Sequence, residues 1–174
     1  MEIRDNIELK ALTIEHASEI FRILDSEREY MRIWLPFVDT TLAVEDSINA
    51  VKMLIGGIDK QFSIFYKNEF VGLVGFKDTD LNNQRTEIGY WLSQKAQKKG
   101  VMTSSVEALI DYAFNKIGIN RIQIRVAIKN IPSRSIPERL GFSLEGIERD
   151  GELLVDNQFT DIAVYSLLKR EYNK

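Results

Sequence analysis

Apolar residues recur along this chain with two spacings, one typical of amphipathic helices and the other of half-buried strands. The clearest helix follows Gly100, where positions i, i+3, i+4, i+7, i+8 and i+11 are apolar: Val106, Leu109, Ile110, Ala113, Phe114 and Ile117. The clearest strand is Arg121–Ala127, in which every second residue is β-branched: Ile122, Ile124 and Val126. Gly118 lies between the two and suits the left-handed conformation that ends many helices. The pattern therefore predicts a long helix that ends at Gly118, followed by a strand.

The same two spacings predict the other elements. Further strands are expected at Ile7–Leu12, Gln61–Tyr66, Phe70–Phe76, Thr86–Ser93, Phe142–Arg149 and Phe159–Leu168. Further helices are expected around the stripe Ala17, Ile20, Phe21 and Leu24, at Glu27–Trp34, around Val44, Ile48, Val51 and Ile55 as far as Gly56, and at Asn130–Leu140. Three helices between the first strand and a hairpin do not fit a regular β-α alternation. We expect one mixed α/β domain over residues 1–174, with a polar loop at Asp150–Gln158.

Composition excludes several classes of site. The 174 residues are 44% hydrophobic and 28% charged, which is ordinary for a globular domain, and the net charge is −3. An acidic chain is a poor general binder of nucleic acid, because phosphate contacts need clustered positive charge. Cysteine is absent and His16 is the only histidine. Disulfides, thiolate metal sites and a cysteine nucleophile are thereby excluded, and we expect neither a metal centre nor a histidine-based triad.

The chain also lacks the sequence features of membrane or secreted proteins. Its first residues, Met1-Glu2-Ile3-Arg4-Asp5, contain no apolar core of a signal peptide. No apolar run approaches the ~18 residues that cross a bilayer. We therefore expect a cytoplasmic protein.

A basic loop joins the strand Thr86–Ser93 to the long helix. Its sequence is Gln97-Lys98-Lys99-Gly100-Val101-Met102-Thr103. A strand–loop–helix junction directs free backbone N–H groups and the positive end of a helix dipole at one spot, which favours an anion and most often a phosphate. Neither a P-loop nor a dinucleotide-binding glycine pattern is present.

Two alternatives to a phosphate site stay open at this loop. Lys95, Lys98 and Lys99 add positive charge, but they suit a solvated loop equally well. Ser104 and Glu107 have the spacing of a capping box, which would satisfy helix amides internally. The amides from Lys98 to Thr103 remain candidates for a phosphate cradle in either case.

A second motif about 30 residues further on helps to interpret the loop. It is Asn-Ile-Pro-Ser-Arg-Ser-Ile-Pro-Glu-Arg-Leu-Gly-Phe, residues 130–142. With Glu-Ile-Gly-Tyr-Trp-Leu (87–92), Asn-Arg-Ile (120–122) and the closing residues 165–171, it resembles the GNAT superfamily of acetyl-CoA-dependent N-acetyltransferases. The resemblance covers the whole chain in order, and is strongest to the ribosomal-protein N-terminal acetyltransferases of the RimJ/RimL type.

The resemblance implies a twisted mixed sheet flanked by helices, with two central strands that splay apart to admit the pantetheine arm of acetyl-CoA. It implies that Trp91 and Leu92 offer backbone groups to pantetheine. It implies that the pyrophosphate is held by Gln97, Lys98, Lys99, Gly100, Val101, Met102 and Thr103. Asn130 would approach the pantetheine or the thioester sulfur, and Arg134 or a loop lysine would meet the 3′-phosphate.

The sequence departs from the superfamily pattern at two points. Met102 occupies a position where glycine or alanine is usual. Many members also have a tyrosine on the second helix that protonates the leaving thiolate, whereas this chain has Ile136 and Pro137 in that region. Ser133 and Asn130 are then the candidates to hydrogen-bond the thiolate, although Ser133 is also suited to cap a helix.

The implied reaction needs a base, because an α-amine with a pKa near 8 is mostly protonated at neutral pH. Glu87 lies on the strand expected to line the cleft, and its apolar surroundings favour a raised pKa. The alternative is an exposed strand carboxylate. Backbone N–H near Leu92 is expected to stabilise the oxyanion. Without cysteine, we expect direct transfer in a ternary complex.

The acceptor amine is the part of the reaction that the sequence determines least. Trp34 and Phe37 are expected to form one wall of its site, although both suit a plain core equally well. Acidic residues of the loop Asp150–Gln158 suit a basic acceptor. The leading hypothesis is acetylation of the N-terminal α-amine of a protein, with a ribosomal protein as one candidate. A small-amine acetyltransferase and a non-catalytic acyl-CoA-binding module are the alternatives, and a homodimer stays open.

Overall fold

The computed structural model describes residues 1–4 and 6–172. The strands are β1 (Glu2–Arg4), β2 (Ile7–Ala11), β3 (Gln61–Tyr66), β4 (Glu69–Asp80), β5 (Arg85–Leu92), β6 (Arg121–Ala127), β7 (Ser143–Leu153) and β8 (Phe159–Leu168). The helices are α1 (Ala17–Ser26), α2 (Arg28–Met31), α3 (Val44–Ile55), α4 (Val101–Tyr112) and α5 (Ile131–Arg139). A π-helical turn, Ala113–Ile117, continues α4 as far as Gly118, whose φ is +83°.

The strands form one mixed sheet in the order β1-β2-β3-β4-β5-β6-β8-β7. All neighbouring pairs are antiparallel except β5 and β6, which run parallel. The parallel pair requires a crossover, and α4 with its π turn supplies it. This arrangement confirms the predicted mixed α/β fold.

Two hydrophobic clusters cover opposite faces of the sheet. Leu73 and Val74 are neighbours on β4, so their side chains point to opposite faces. Val74 belongs to the larger cluster, in which α4 contributes fully buried side chains such as Leu109. Leu73 belongs to the smaller cluster, which contains buried residues of α1 and α3, such as Leu24 and Val51. Hence α4 and α5 lie on one face, and α1 to α3 on the other.

The observed elements differ from the predicted ones mainly at strand ends. β1 was not predicted, because three residues are too few to show an alternation. β7 runs to Leu153, so Asp150 and Glu152 belong to a strand and the loop is shorter than predicted. The second helix is only one turn, Arg28–Met31. Among the described residues, no helix combines the length and the apolar character needed to cross a membrane.

Candidate active site

A gap opens in the middle of the sheet between β5 and β6. The two strands pair only at their first three residues, where Arg85–Glu87 faces Arg121–Gln123. Beyond this point β5 stays paired with β4 as far as Leu92, and β6 stays paired with β8 as far as Ala127. The strands therefore diverge from Ile88 onward, which is the splayed arrangement that the resemblance implied.

Alternation along β5 determines what faces the gap. The backbone N–H of Ser93 donates to Val71 O at 2.8 Å, so residue 93 directs its backbone groups toward β4. Hydrogen-bonded and non-hydrogen-bonded pairs alternate in an antiparallel ladder. The backbone of Trp91 is therefore directed toward Leu73 on β4, whereas the backbone groups of Tyr90 and Leu92 point into the gap. Of the two residues expected to offer backbone groups to pantetheine, Leu92 has the suitable orientation.

The loop before α4 presents a row of free amides. Within residues 1–4 and 6–172, the six consecutive backbone N–H groups from Lys98 to Thr103 have no hydrogen-bond acceptor. Positive φ angles at Lys98 (+59°) and Gly100 (+76°) turn the chain into a concave nest. A Cβ built on Gly100 would meet nothing within 4 Å, so the space above the loop is open. This geometry suits a bound phosphate.

The capping-box alternative at Ser104 is wrong. Gly100 is the N-cap residue of α4, and the N–H of Ser104 already donates to Gly100 O at 3.0 Å. Ser104 therefore lies inside the first turns of the helix and is not its cap. The amides that precede it remain available.

The side chains of the loop have different roles from its amides. Gln97 donates through Nε2 to the Tyr30 hydroxyl, and its N–H bonds Gln94 O at 3.2 Å. Lys99 donates through Nζ to Lys95 O at 2.6 Å. The side chains of Val101 and Met102 are buried in the core, so these two residues can offer only backbone groups to a ligand. Thr103 Oγ1 accepts a hydrogen bond from Arg139 at 2.8 Å, which brings a cation from the end of α5 to the loop.

Helix α5 begins at the other side of the gap. Asn130 is its N-cap, and its side-chain Oδ1 accepts a hydrogen bond from the Ser133 N–H at 3.3 Å. Ser133 is therefore not the cap. Its hydroxyl donates to the Tyr90 hydroxyl at 3.3 Å, and the Tyr90 hydroxyl donates to Ser133 O at 3.1 Å.

The guanidinium of Arg134, one of the groups predicted to meet the 3′-phosphate, makes hydrogen bonds within the protein. It bonds Tyr165 Oη at 2.9 Å, Ile128 O at 3.2 Å and Glu138 Oε1 at 3.3 Å. All three of its nitrogens are thus engaged inside the protein. Arg134 anchors α5 to β8, and Arg139 is the arginine of this helix that reaches the loop.

Glu87 is a buried carboxylate at the point where β5 and β6 part. Its side chain is 9% exposed, and Oε1 lies 3.0 Å from Nζ of Lys77, which is 51% exposed. Burial raises the pKa of Glu87, and the charges of Lys77 and Arg125 lower the pKa in part. Glu87 is therefore not the exposed strand carboxylate of the alternative interpretation.

A cavity of about 700 Å³ lies at the gap between β5 and β6. From the β5 side it is lined by Glu87, Gly89, Tyr90 and Trp91, and from the α5 side by Asn130 and Ser133. By the alternation of side chains, Glu87 and Trp91 project toward the face with α1 to α3, and Tyr90 toward the face with α4 and α5. The cavity therefore passes through the sheet. The Glu87 carboxylate lies toward one face, and the hydroxyl groups of Tyr90 and Ser133 lie toward the other.

Trp34 and Phe37 line the same cavity on the face with α1 to α3. Phe37 is 46% exposed and Trp34 is half-buried, so neither is a plain core residue. Arg32 joins this wall to the β7–β8 loop: its guanidinium bonds Asp39 at 2.8 Å and Asp156 at 3.3 Å. Asp156 is thus paired internally, and Glu152 is the acidic residue of the hairpin that lines the cavity.

Four residues at the site were not anticipated from the sequence: Tyr90, Lys77, Arg125 and Arg139. Tyr90 and Arg125 come from strands, whereas the tyrosine usual in the superfamily lies on the second helix. The available signal for Tyr90 was its place in the segment 87–92, one residue before Trp91. Lys77 faces Glu87 across the β4–β5 hairpin, a register that the sequence pattern did not specify. Arg139 reaches the loop through a contact with Thr103, which lies 36 residues earlier in the chain.

Comparison with known proteins agrees with this geometry. Residues 6–143 match the family of the acetyltransferase (GNAT) domain. The chain is 39% identical over 147 residues to the uncharacterized N-acetyltransferase p20 of Bacillus licheniformis, covering 83% of this chain and 81% of that protein. It is 26% identical over 170 residues to the ribosomal-protein-serine acetyltransferase of Escherichia coli (strain K12), covering 95% and 94%.

A solved structure is similar over the whole fold. The microcin C7 self-immunity acetyltransferase MccE, in complex with acetyl-CoA and AMP, has a TM-score of 0.90 and 25% identity, covering 97% of this chain and 95% of that one. The predicted family, fold and cosubstrate are thereby confirmed. With a splayed sheet, a cradle of free amides and a family match over most of its length, the chain belongs to the GNAT acetyltransferases and uses acetyl-CoA as its acetyl donor.

Proposed function

We propose that this protein acetylates the N-terminal α-amine of a protein, by direct attack of the amine on acetyl-CoA in a ternary complex. The observation that supports this most is the cavity that passes through the sheet at the β5–β6 gap. A donor can enter it from the face with α4 and α5, and an acceptor from the face with α1 to α3. The amine and the thioester then meet between Glu87 and Ser133.

On the donor side, the amides from Lys98 to Thr103 hold the pyrophosphate, and Arg139 is a better candidate than Arg134 for the remaining phosphate charge. The backbone of Leu92 hydrogen-bonds the pantetheine arm in the gap. The arm thus takes the place that β6 would have if it stayed paired with β5 along its whole length. An N–H of β5 in the gap also stabilises the oxyanion that forms when the thioester carbonyl is attacked.

On the acceptor side, Glu87 takes the proton of the attacking amine, directly or through water. Burial raises the pKa of Glu87 and the charge of Lys77 lowers it in part, and a carboxylate with a raised pKa is a stronger base. Base assistance of this kind is worth about 10²–10⁴-fold in rate. Ser133, with Asn130 beside it, hydrogen-bonds the thiolate that leaves.

Two features favour a peptide over a small amine. The cavity is large, and its acceptor wall is apolar and partly open to solvent at Phe37, so an acceptor that extends beyond the cavity can enter it. Secondly, a relative of nearly the same length is named for acetylation of a serine of ribosomal protein. Trp34 and Phe37 then hold the first residues of the acceptor chain.

The acceptor is tested with a panel under one assay. Short peptides with a free N-terminus, the same peptides blocked at the N-terminus but containing lysine, and a set of polyamines, amino sugars and amino acids are supplied with acetyl-CoA. Thiol release gives the rate, and mass spectrometry locates the acetyl group. We expect release with free N-termini and none with blocked peptides.

Release with small amines alone would overturn the peptide acceptor while leaving the acetyltransferase activity intact. The variant Glu87→Gln is the matched control for the chemistry. We expect it to lower turnover and to leave the affinity for acetyl-CoA, measured by calorimetry, unchanged.

A further inference from the structure

The Tyr90 hydroxyl has no assigned role in the reaction described above. It is buried and lies beside the cavity, where its only hydrogen-bond partner among the described residues is Ser133. It accepts from the Ser133 hydroxyl at 3.3 Å and donates to the Ser133 carbonyl oxygen at 3.1 Å. One phenol on β5 thus contacts two groups of a single residue on α5.

This pair of contacts completes the restraint of Ser133. Its N–H is held by the Asn130 side chain at 3.3 Å, and its carbonyl and hydroxyl are both held by Tyr90. Asn130 fixes the start of α5 from within the helix, whereas Tyr90 fixes Ser133 from the opposite side of the gap. The position of the serine hydroxyl relative to β5 therefore depends on Tyr90.

We infer that Tyr90 is a positioning residue for acetyl transfer, which holds the Ser133 hydroxyl in place and directs its proton toward the departing thiolate. The inference rests on the proposed role of Ser133. In the structure, the Ser133 hydroxyl donates to the Tyr90 oxygen. When a thiolate forms in the gap, the Ser133 hydroxyl turns its proton to the sulfur.

Tyr90 can follow that turn without leaving its place. The Tyr90 hydroxyl stops donating to the Ser133 carbonyl oxygen and donates instead to the Ser133 hydroxyl oxygen. This new hydrogen bond makes the serine a stronger donor to the sulfur. Burial raises the pKa of the Tyr90 phenol, so the ring stays neutral throughout. Tyr90 thus changes its hydrogen-bond partner and loses no proton to the thiolate.

The test is a double-mutant cycle on Tyr90→Phe and Ser133→Ala, with the acceptor that the wild-type protein acetylates, whether a peptide or a small amine. Because any acetylated acceptor serves, the result does not depend on the peptide proposal. We expect Tyr90→Phe to lower kcat about five- to tenfold, the size of one lost hydrogen bond, with KM for acetyl-CoA unchanged. In the Ser133→Ala background, the same substitution should have almost no effect.

Equal losses in the two backgrounds would show that Tyr90 acts independently of Ser133 and would overturn the inference, as would an unchanged kcat in Tyr90→Phe. Tyr112→Phe is the control. It removes a hydroxyl that accepts a hydrogen bond from Lys60 at 2.6 Å, and Tyr112 does not line the cavity. It should keep the wild-type kcat.

If Tyr90→Phe does not fold, 3-fluorotyrosine at position 90 keeps the hydroxyl and makes it a stronger donor. A change of kcat that disappears with Ser133→Ala then supports the inference. A change that is the same with and without the serine hydroxyl overturns it.

Discussion

The ion pair between Lys77 and Glu87 predicts how the reaction rate should depend on pH. The ammonium lies 3.0 Å from the Glu87 carboxylate and lowers the pKa that burial raises. Replacing it by Lys77→Met keeps the aliphatic stem and removes the charge. The pKa of Glu87 should then rise, and the carboxylate should need a higher pH to act as a base.

The size of the effect follows from the exposure of the lysine. At 3.0 Å and an effective dielectric constant of about 20, two unit charges attract by roughly 5 kcal/mol. Lys77 is half exposed, however, and solvent screening reduces measured surface pairs to about 0.2–1 kcal/mol. Because about 1.4 kcal/mol corresponds to one pKa unit, we expect a rise of about half a unit. On the acid side of the profile the rate should fall about threefold.

The assay is kcat/KM against pH for the wild type, Lys77→Met and Lys116→Met. Lys116 is an exposed lysine of the π turn outside the cavity, so its substitution controls for the change in net charge. The titration of the acceptor amine is common to all three proteins and cancels in their ratios. The acid limb of Lys77→Met should lie at higher pH than the limbs of the other two.

A limb that stays in place in Lys77→Met would mean that Glu87 is not the group that titrates. A limb that moves to lower pH would refute the electrostatic argument itself. Glu87→Gln separates these cases further, because it should remove the contribution of the carboxylate to the limb altogether.

Two further predictions concern the cosubstrate loop and the sheet edge. Gly100→Glu should abolish acetyl-CoA binding in calorimetry, since it places a carboxylate in the open space above the amides. The control is Gly118→Glu, which has a similar φ of +83° and equally open surroundings and should bind acetyl-CoA normally. Equal affinities of the two variants for acetyl-CoA would disprove the cradle. The Arg121 guanidinium and the Ser166 hydroxyl lower the pKa of Glu145 to about 2, so this carboxylate stabilises the fold above its ordinary pKa and the contribution is lost as the pH falls toward 2. Glu145→Gln should therefore cost up to about 1 kcal/mol in urea unfolding at neutral pH, and a difference from the wild type that does not shrink toward acid pH would contradict the assignment.

Most of the fold was predictable because local patterns and burial agree along the chain. The alternation in Arg121–Ala127 specified β6, and the apolar stripe before Gly118 specified α4, since each pattern reflects which side of one element meets the core. β1 and the far part of β7 could not be predicted in this way. The first is too short for a period, and all residues of the second are exposed.

The candidate site was predictable only in part, because local patterns identify segments but not the contacts between them. Glu87, Ser133 and the loop amides belong to contiguous motifs, so the sequence by itself was enough to predict which segments form the site. The occupied guanidinium of Arg134 and the phenol beside Ser133 arise from contacts between segments that lie far apart in the chain. The lysine beside Glu87 depends on the register of the β4–β5 hairpin. Such contacts depend on how the strands splay and on where α5 docks. Only the tertiary structure therefore decided which side chains are already engaged by other side chains and which groups lie beside Glu87 and Ser133.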